Sequence, residues 1–252
     1  MTTAVFRPVQ AVYELNYPAF EEYRTLDTVV HAISRASRSG TSKMYELHSA
    51  DPAVPLPAFE AGAHIDVHIG PSLVRQYSLL NSPHDQGRYL ICVRRDDDGR
   101  GGSTAVHRDI TVGQHLRISA PRNHFPLLTA ERHVLAAGGI GITPLLSMAE
   151  ELAAVGGDFT LHHYAARERD APLSERVEAS GFADRVVVHH SDTGDSVRAG
   201  LPADLRTPAP TALVYICGPD GFMTYVTEQA TAAGWLPRQL HLERFGMPLT
   251  RP

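Results

Sequence analysis

Cysteine is almost absent: of 252 residues, only Cys92 and Cys217 carry a thiol. Two thiols exclude a disulfide scaffold. They also exclude an iron-sulfur cluster built from this chain alone, because such a cluster usually takes four cysteine thiolates. Long hydrophobic runs are missing too. No stretch approaches the roughly 18 consecutive apolar residues of a membrane helix. The start, Met1 to Arg7, lacks the apolar core of a signal peptide, so the expected location is cytoplasmic, with no membrane partner. Positive charge is not in excess: 23 Lys and Arg face 28 Asp and Glu, for a net charge of -5. Without a basic surface no nucleic-acid partner is expected. Histidine is plentiful, with 14 residues. Yet the adjacent pairs His162-His163 and His189-His190 would point to opposite faces of a strand, so neither pair can chelate one ion with both rings. No metal site is expected.

What is present is an ordinary globular composition, 43% hydrophobic and 20% charged, long enough for two domains of about 100 to 120 residues each. Residues 1–27 carry aromatics without a clear period. They are expected as an N-terminal arm packed on the first domain, with a partner-docking segment as the alternative. From Val29 to about Ala120, short β-rich runs are separated by turn residues: Val29 to Ile33, Met44 to His48, His64 to Ile69, Val74 to Leu80, Tyr89 to Arg94 and His115 to Ser119. Two of them, His64 to Ile69 and His115 to Ile118, alternate polar and apolar as half-buried strands do. Six short strands at this spacing predict an antiparallel barrel, with one short helix over Ser103 to Asp109.

Beyond a Pro121-Arg122-Asn123 linker, strands and helices alternate. Further strands are expected at Phe159 to Tyr164, Arg185 to His189, Leu213 to Cys217 and Gln239 to Leu242. Helices are expected through about Val155, near Pro172 to Ser180, and over Pro219 to Ala233. This rhythm implies a parallel sheet with helices on both faces, whose ligands sit at the carboxyl ends of the strands. The division is therefore 1–27, 28–123 and 124–252.

The most informative stretch is His133-Val-Leu-Ala-Ala-Gly138-Gly139-Ile-Gly141-Ile-Thr143-Pro144. It reads as a buried strand, a glycine turn and a helix start, with Pro144 in the first turn where its missing N–H costs nothing. Free N–H groups at such a turn suit a pyrophosphate. It is not the Gly-x-Gly-x-x-Gly fingerprint, because Pro144 stands in place of the third glycine, and no lysine makes it a Walker loop. A second apolar strand ends in Cys217-Gly218-Pro219. Upstream lie Arg75-Gln76-Tyr77-Ser78 and, opening the short helix, Arg100-Gly101-Gly102-Ser103. An arginine fork suits a phosphate, a tyrosine face a flat ring, and a serine hydroxyl a ring heteroatom.

In this order, with Pro121 to Pro126 between the halves, these motifs resemble the ferredoxin reductase superfamily, and within it the phthalate dioxygenase reductase branch. The likeness covers roughly residues 28–247. It implies a fold of class β plus α/β: an antiparallel six-stranded flavin-binding barrel, residues 28–123, followed by a parallel-sheet nucleotide-binding domain, residues 124–252. It implies that Arg75, Gln76, Tyr77 and Ser78 hold the flavin, with the Ser78 hydroxyl near N5, and that Arg100, Gly101, Gly102 and Ser103 hold its phosphate. Cys92, Val93 and Arg94 are further cofactor-binding candidates. The likeness of Arg95-Asp96-x-x-Gly99-Arg100-Gly101-Gly102-Ser103 to the branch that uses FMN favours FMN over FAD. Asp96, Asp97 and Asp98 are expected in a solvated turn.

By the same resemblance the nicotinamide nucleotide crosses from Gly138, Gly139, Gly141 and Pro144 to Cys217, Gly218 and Pro219. Thr143 and Cys217 flank the nicotinamide, and Phe245 packs against the flavin ring, the alternative being a core aromatic at a strand end. Ser78, Thr143, Cys217 and Phe245 are thus the catalytic candidates, although a buried cysteine also acts simply as a small hydrophobe. For the adenine ribose, Glu168 follows the strand Phe159 to Tyr164, with Asp170 second. A carboxylate there accepts from ribose hydroxyls and repels a 2′-phosphate, which favours NADH. Arg167, also a cofactor candidate, and Arg169 are what NADPH would use.

Family members continue past the Glu-x-Phe-Gly match into a ferredoxin domain with four cysteines, whereas this chain stops at Pro252. The expected partners are an iron-sulfur protein, as a ferredoxin domain or a separate ferredoxin, and a terminal oxygenase of an oxygenase or demethylase system. The expectation is an NADH-dependent flavin oxidoreductase feeding them. A stand-alone diaphorase or flavin reductase, and a non-catalytic nucleotide-binding docking subunit, are the alternatives.

Overall fold

The computed structural model describes residues 25–70, 73–99 and 101–245. Its first half is one antiparallel sheet. Strands β1 (Thr25–Arg35), β2 (Ser42–Ser49), β3 (His64–Ile69), β4 (Leu73–Ser78), β5 (Arg88–Arg94) and β6 (His115–Ser119) take the order β4-β3-β6-β1-β2-β5. Alternation decides which way each strand faces. Leu26, Thr28 and Val30 of β1 point inward while Thr25, Asp27 and His31 point out, and Val30, Leu47, Ile65, Val67 and Ile118 meet in the barrel core. Helix α1 (Gly102–Asp109) lies beside β3, β4 and β5, where the two edge strands approach. It contributes Val106 to that core.

The second half is a parallel sheet. Strands β7 (Arg132–Gly138), β8 (Asp158–Ala165), β9 (Val186–His190), β10 (Ala212–Cys217) and β11 (Leu240–Glu243) take the order β11-β10-β7-β8-β9. The central strands are apolar on both faces because both are covered. Helix α2 (Ile142–Ala154) packs Leu145, Leu146 and Ala149 on one side against Leu135 and Leu161. On the other side, α5 (Asp220–Ala233) packs Met223, Val226 and Ala230 against Val134 and Ile216. Trp235 is buried there, its indole N–H donating to the Leu205 carbonyl at 2.8 Å. Two short helices, α3 (Ser174–Glu178) and α4 (Ala203–Arg206), complete the connections.

The two sheets share a core: Ala36, Leu80, Leu90 and Cys92 of the first half belong to the same cluster as α2. The Ser147 hydroxyl on α2 donates to the Asn81 carbonyl at 2.9 Å. The Pro121-Arg122-Asn123 stretch, expected as a linker, is instead tied down. Arg122 and His64 exchange both backbone hydrogen bonds, at 2.8 and 3.0 Å, and the Arg122 guanidinium donates to Asp66 at 2.6 Å. A largely buried arginine needs such a partner, and its backbone pairing extends β3. The arm over residues 1–24 lies outside the described residues.

Candidate functional site

Where β4, β5 and α1 face β11, the two halves enclose a cleft of about 800 Å³, within the range of small-molecule sites. Eight of the candidate residues line it: Arg75, Gln76, Tyr77, Ser78, Arg94, Gly102, Ser103 and Phe245. Arg75 and Tyr77 share one face of β4 and Gln76 and Ser78 the other, yet all four line the cleft, which lies along this edge strand of the sheet.

At one end is the start of α1. Gly101 takes a left-handed φ of 77° as its N-cap, and no acidic residue occupies the first turn. The first N–H groups of such a helix lack intrahelical partners and attract an anion. Arg75 lies across this turn so closely that a Cβ at Gly102 would sit 2.3 Å from its Nε. Arg75 and the helix start thus stand together as an anion-binding pair, and the flexible arginine side chain, not backbone, is what a Cβ at Gly102 would displace. The Ser103 hydroxyl accepts from the Asp96 N–H at 3.0 Å, so it also holds the loop of aspartates in place. That loop is exposed, as a solvated turn should be, but Asp96 itself lines the cleft. Arg100 lies outside the described residues.

At the other end Ser78, buried, donates to Glu243 Oε2 at 3.4 Å. Burial pushes the Glu243 carboxyl up to about 7, the Ser78 hydrogen bond opposing in part. Phe245, two residues on, is exposed at the cleft rather than packed in either core, which removes the reading of it as a core aromatic. Burial pushes the Tyr77 phenol up to about 12, the nearby Arg75 charge opposing. His64, buried against Arg122 and His124, is pushed down to about 4 by desolvation first and the Arg122 charge second, with Asp66 opposing. It is therefore a neutral ring in the wall, within 3.4 Å of the Gln76 amide. Aromatic Tyr77 and Phe245, uncharged Gln76, Ser78 and His64, and the Arg75 and helix-start pair at one end suit a planar ring carrying a phosphate.

Not every candidate reaches the cleft. Cys92 and Val93 are buried in the cores behind it, and desolvation pushes the Cys92 thiol up to about 12. The glycine turns meet each other instead, because β7 and β10 are neighbours. A Cβ at Gly141 would lie 2.2 Å from the Cys217 carbonyl oxygen, and one at Gly138 would lie 3.0 Å from Pro219. Gly139, with φ 53°, faces open space, while the His163 ring bonds its carbonyl at 3.2 Å. Pro144 falls in the first turn of α2, as expected. The Thr143 hydroxyl donates to the Ile140 carbonyl at 3.1 Å. Cys217 is fully buried, and its thiol is pushed far above the usual range by desolvation first and by Glu243, its register partner on β11, second. It cannot serve as a thiolate nucleophile.

Glu168 and Arg167 lie in the exposed turn after β8. Glu168 is paired with Arg38, at the end of the β1–β2 hairpin, and Arg38 also reaches Glu178 at 3.7 Å. The same hairpin donates from Ser39 N–H to the Arg169 carbonyl at 2.7 Å. Sequence reasoning missed Arg38, His64 and Glu243. Only Glu243 had a signal, the first residue of its Glu-x-Phe-Gly match.

Residues 30–126 match the family model described as an oxidoreductase FAD-binding domain. The chain is 46% identical over 221 residues to a vanillate O-demethylase oxidoreductase of Pseudomonas putida, covering 87% of this chain and 68% of that one. The chain belongs to the ferredoxin reductase family. As a member it is a flavin-binding oxidoreductase. It superposes on the solved phthalate dioxygenase reductase, described as a modular structure for electron transfer from pyridine nucleotides to a 2Fe-2S centre, with a TM-score of 0.78 and 34% identity, over 87% of this chain and 67% of that one. It is also 37% identical over 198 residues to the carnitine monooxygenase reductase subunit of Escherichia coli strain K12, covering 77% of this chain and 61% of that protein. The chain thus spans about two thirds of the length of these relatives. Among the described residues no helix is long and apolar enough to cross a membrane.

Proposed function

We propose that the chain is an NADH-dependent FMN reductase module that passes electrons to an iron-sulfur acceptor of an oxygenase or demethylase system. The observation that carries this is the cleft itself, with Arg75 and the start of α1 at one end and the Ser78–Glu243 pair at the junction of the two halves. The reductase names of the relatives support the acceptor class. FMN over FAD rests on the Arg95 to Ser103 resemblance, against which stands the FAD in the family model's description.

The flavin, when bound, supplies the chemistry of accepting two electrons together and releasing them singly. The chain's residues do the rest. Arg75 and the α1 N–H groups would hold the phosphate, and Tyr77 and Phe245 would present aromatic faces to the ring system. The Ser78 hydroxyl, whose one proton goes to Glu243 while that carboxyl is ionised, would turn it to the ring when a protonated Glu243 donates to the Ser78 oxygen. Glu243 can hold or release a proton near neutrality. Gly138, Gly141 and Gly218 pack the two turns against each other and against Phe222, while Gly139 faces open space where a nucleotide backbone would pass, with Thr143 and Pro219 in the adjoining turns.

The deciding experiment is anaerobic addition of NADH to the purified yellow protein, followed by heat release and chromatography of the flavin. Bleaching and one FMN per chain are expected. FAD in the released fraction would correct the cofactor, and a protein that stays colourless after incubation with FMN would favour a nucleotide-binding docking subunit. Ser78→Ala is expected to slow flavin reduction roughly tenfold, the order expected for losing one positioned hydrogen bond, with little change in stability. Unchanged stopped-flow rates would remove Ser78 from the site.

Glu168 is proposed to read the adenine ribose, in competition with Arg38. Their ion pair is exposed and worth under about 1 kcal/mol, so a ribose can displace it. Glu168→Ala is expected to relax the preference for NADH over NADPH by roughly tenfold in kcat/KM. A ratio that does not move assigns Glu168 to the hairpin contact alone.

A further inference from the structure

We propose that His31, Glu46 and His48 form a binding site for a divalent transition-metal ion of the zinc type on the outer face of the barrel. Each offers a ligand atom, and the three atoms lie within 4.8 Å of one another. His48 Nε2 is 2.6 Å from Glu46 Oε1, and the His31 ring stacks on the His48 ring at 4.2 Å and 11°, so the exposed His31 ring turns about its side-chain bonds to aim a nitrogen at an ion held by the other two. Spacing along the chain does not reveal the group, because it is assembled across β1 and β2.

The backbone contributes as well. Pairing runs Val30 with Leu47 and then Ala32 with Glu46, so the β1–β2 register shifts at His31. His31 is the extra residue of a β-bulge, a device that re-aims a side chain at the expense of ladder pairing. Here it stands beside Glu46 and His48 on the outer face of the β1–β2 pair. Two imidazole nitrogens and a carboxylate oxygen are the donor set of zinc and its neighbours, whereas calcium and magnesium take oxygen ligands. Three protein ligands leave a fourth tetrahedral position for water.

Glu46 also accepts from Arg88, whose Nη1 is 3.4 Å from Oε2. Arg88 is held in turn by Asp85 at 2.8 Å. The oxygen toward the histidines, Oε1, is thus the one left for an ion. That ion would take the place of the direct Oε1 to His48 Nε2 contact, and it would tie β1 to β2 where the ladder is broken. None of the three residues lines the cleft, so the site is independent of the flavin reading.

The test uses the tag-free full chain, stripped with a chelator and titrated calorimetrically with zinc chloride at neutral pH. One saturable site per chain is expected, with a rise in Tm on loading. His31→Ala, Glu46→Gln and His48→Ala should each weaken binding by at least about tenfold, the scale on which metal sites respond to altered ligation. His68→Ala should leave it unchanged. As a measurement that needs no variant, cobalt(II) should give the intense visible absorption of a four-coordinate ion, abolished by zinc. No saturable zinc binding, a site that survives all three substitutions, or a cobalt spectrum like that of the free hexaaqua ion would each overturn the proposal.

Discussion

Gly141→Ala is expected to destabilise the chain by more than about 4 kcal/mol, in the range reserved for substitutions with a specific steric cause. The backbone dihedrals are not that cause, since φ −61° and ψ −5° suit any residue. A Cβ there would lie 2.2 Å from the Cys217 carbonyl oxygen and 2.6 Å from the Gly218 nitrogen. Both are backbone atoms at the end of β10, so no rotamer change relieves the overlap, and β7 and β10 would have to separate at the centre of the sheet. Gly139→Ala is the contrast. Its φ of 53° is left-handed, but nothing lies within 4 Å of a Cβ, so only the conformational penalty of about 1 to 2 kcal/mol applies. Urea denaturation of the two variants separates contact from dihedral. A Gly141→Ala protein within about 1 kcal/mol of the parent, by that same linear extrapolation, would mean that the two turns do not interlock.

The same pair of turns shows how much the sequence disclosed. Periodicity placed the elements well: His115 to Ser119 and His64 to Ile69 are strands with those bounds. In the first, one wet and one dry face leave the alternation; in the second the polar face is buried as well, with His64 and Asp66 both held by Arg122. The β7 turn was legible because glycine and proline have few other uses there. Contacts across the chain were not. Arg38 binding Glu168, Arg122 replacing a linker with a third β3 pairing, and His31 meeting His48 all join residues that local pattern cannot relate. The adjacent histidine pairs make the point again. Neither pair acts together, as strand geometry requires, yet one ring from each meets across β8 and β9, His162 Nδ1 and His189 Nε2 being 3.1 Å apart. Each is then bonded to an aspartate, Asp204 or Asp195, at 2.9 to 3.0 Å. Glu243 is the costliest omission, since a carboxylate in a motif reads as surface charge until its partners are known.

Glu243→Gln is expected to move stability and rate in opposite directions. The carboxyl is raised to about 7 by burial, so the folded state prefers it protonated. Its favourable contribution is complete below the unfolded pKa near 4.5 and is lost as pH rises through about 7. Above that the buried charge costs about 3 kcal/mol, one pKa unit being about 1.4. Glutamine keeps the shape and hydrogen-bonding capacity without the charge. The flavin-free variant should therefore match the parent at about pH 4 and exceed its stability by about 3 kcal/mol at about pH 8. Reduction of the flavin by NADH should respond the other way. A group poised near 7 beside the Ser78 hydroxyl is suited to moving a proton at the ring as electrons arrive and leave. Its loss should slow turnover by about a hundredfold, the low end for a general acid or base, and should flatten the inflection near neutrality in the pH profile of kcat. Equal stability gains at the acid and the alkaline pH would show that glutamine improves packing rather than removing a charge. A Glu243→Gln profile that keeps its inflection would assign the ionisation to another group in the cleft, and Glu243 would then serve only to anchor Ser78.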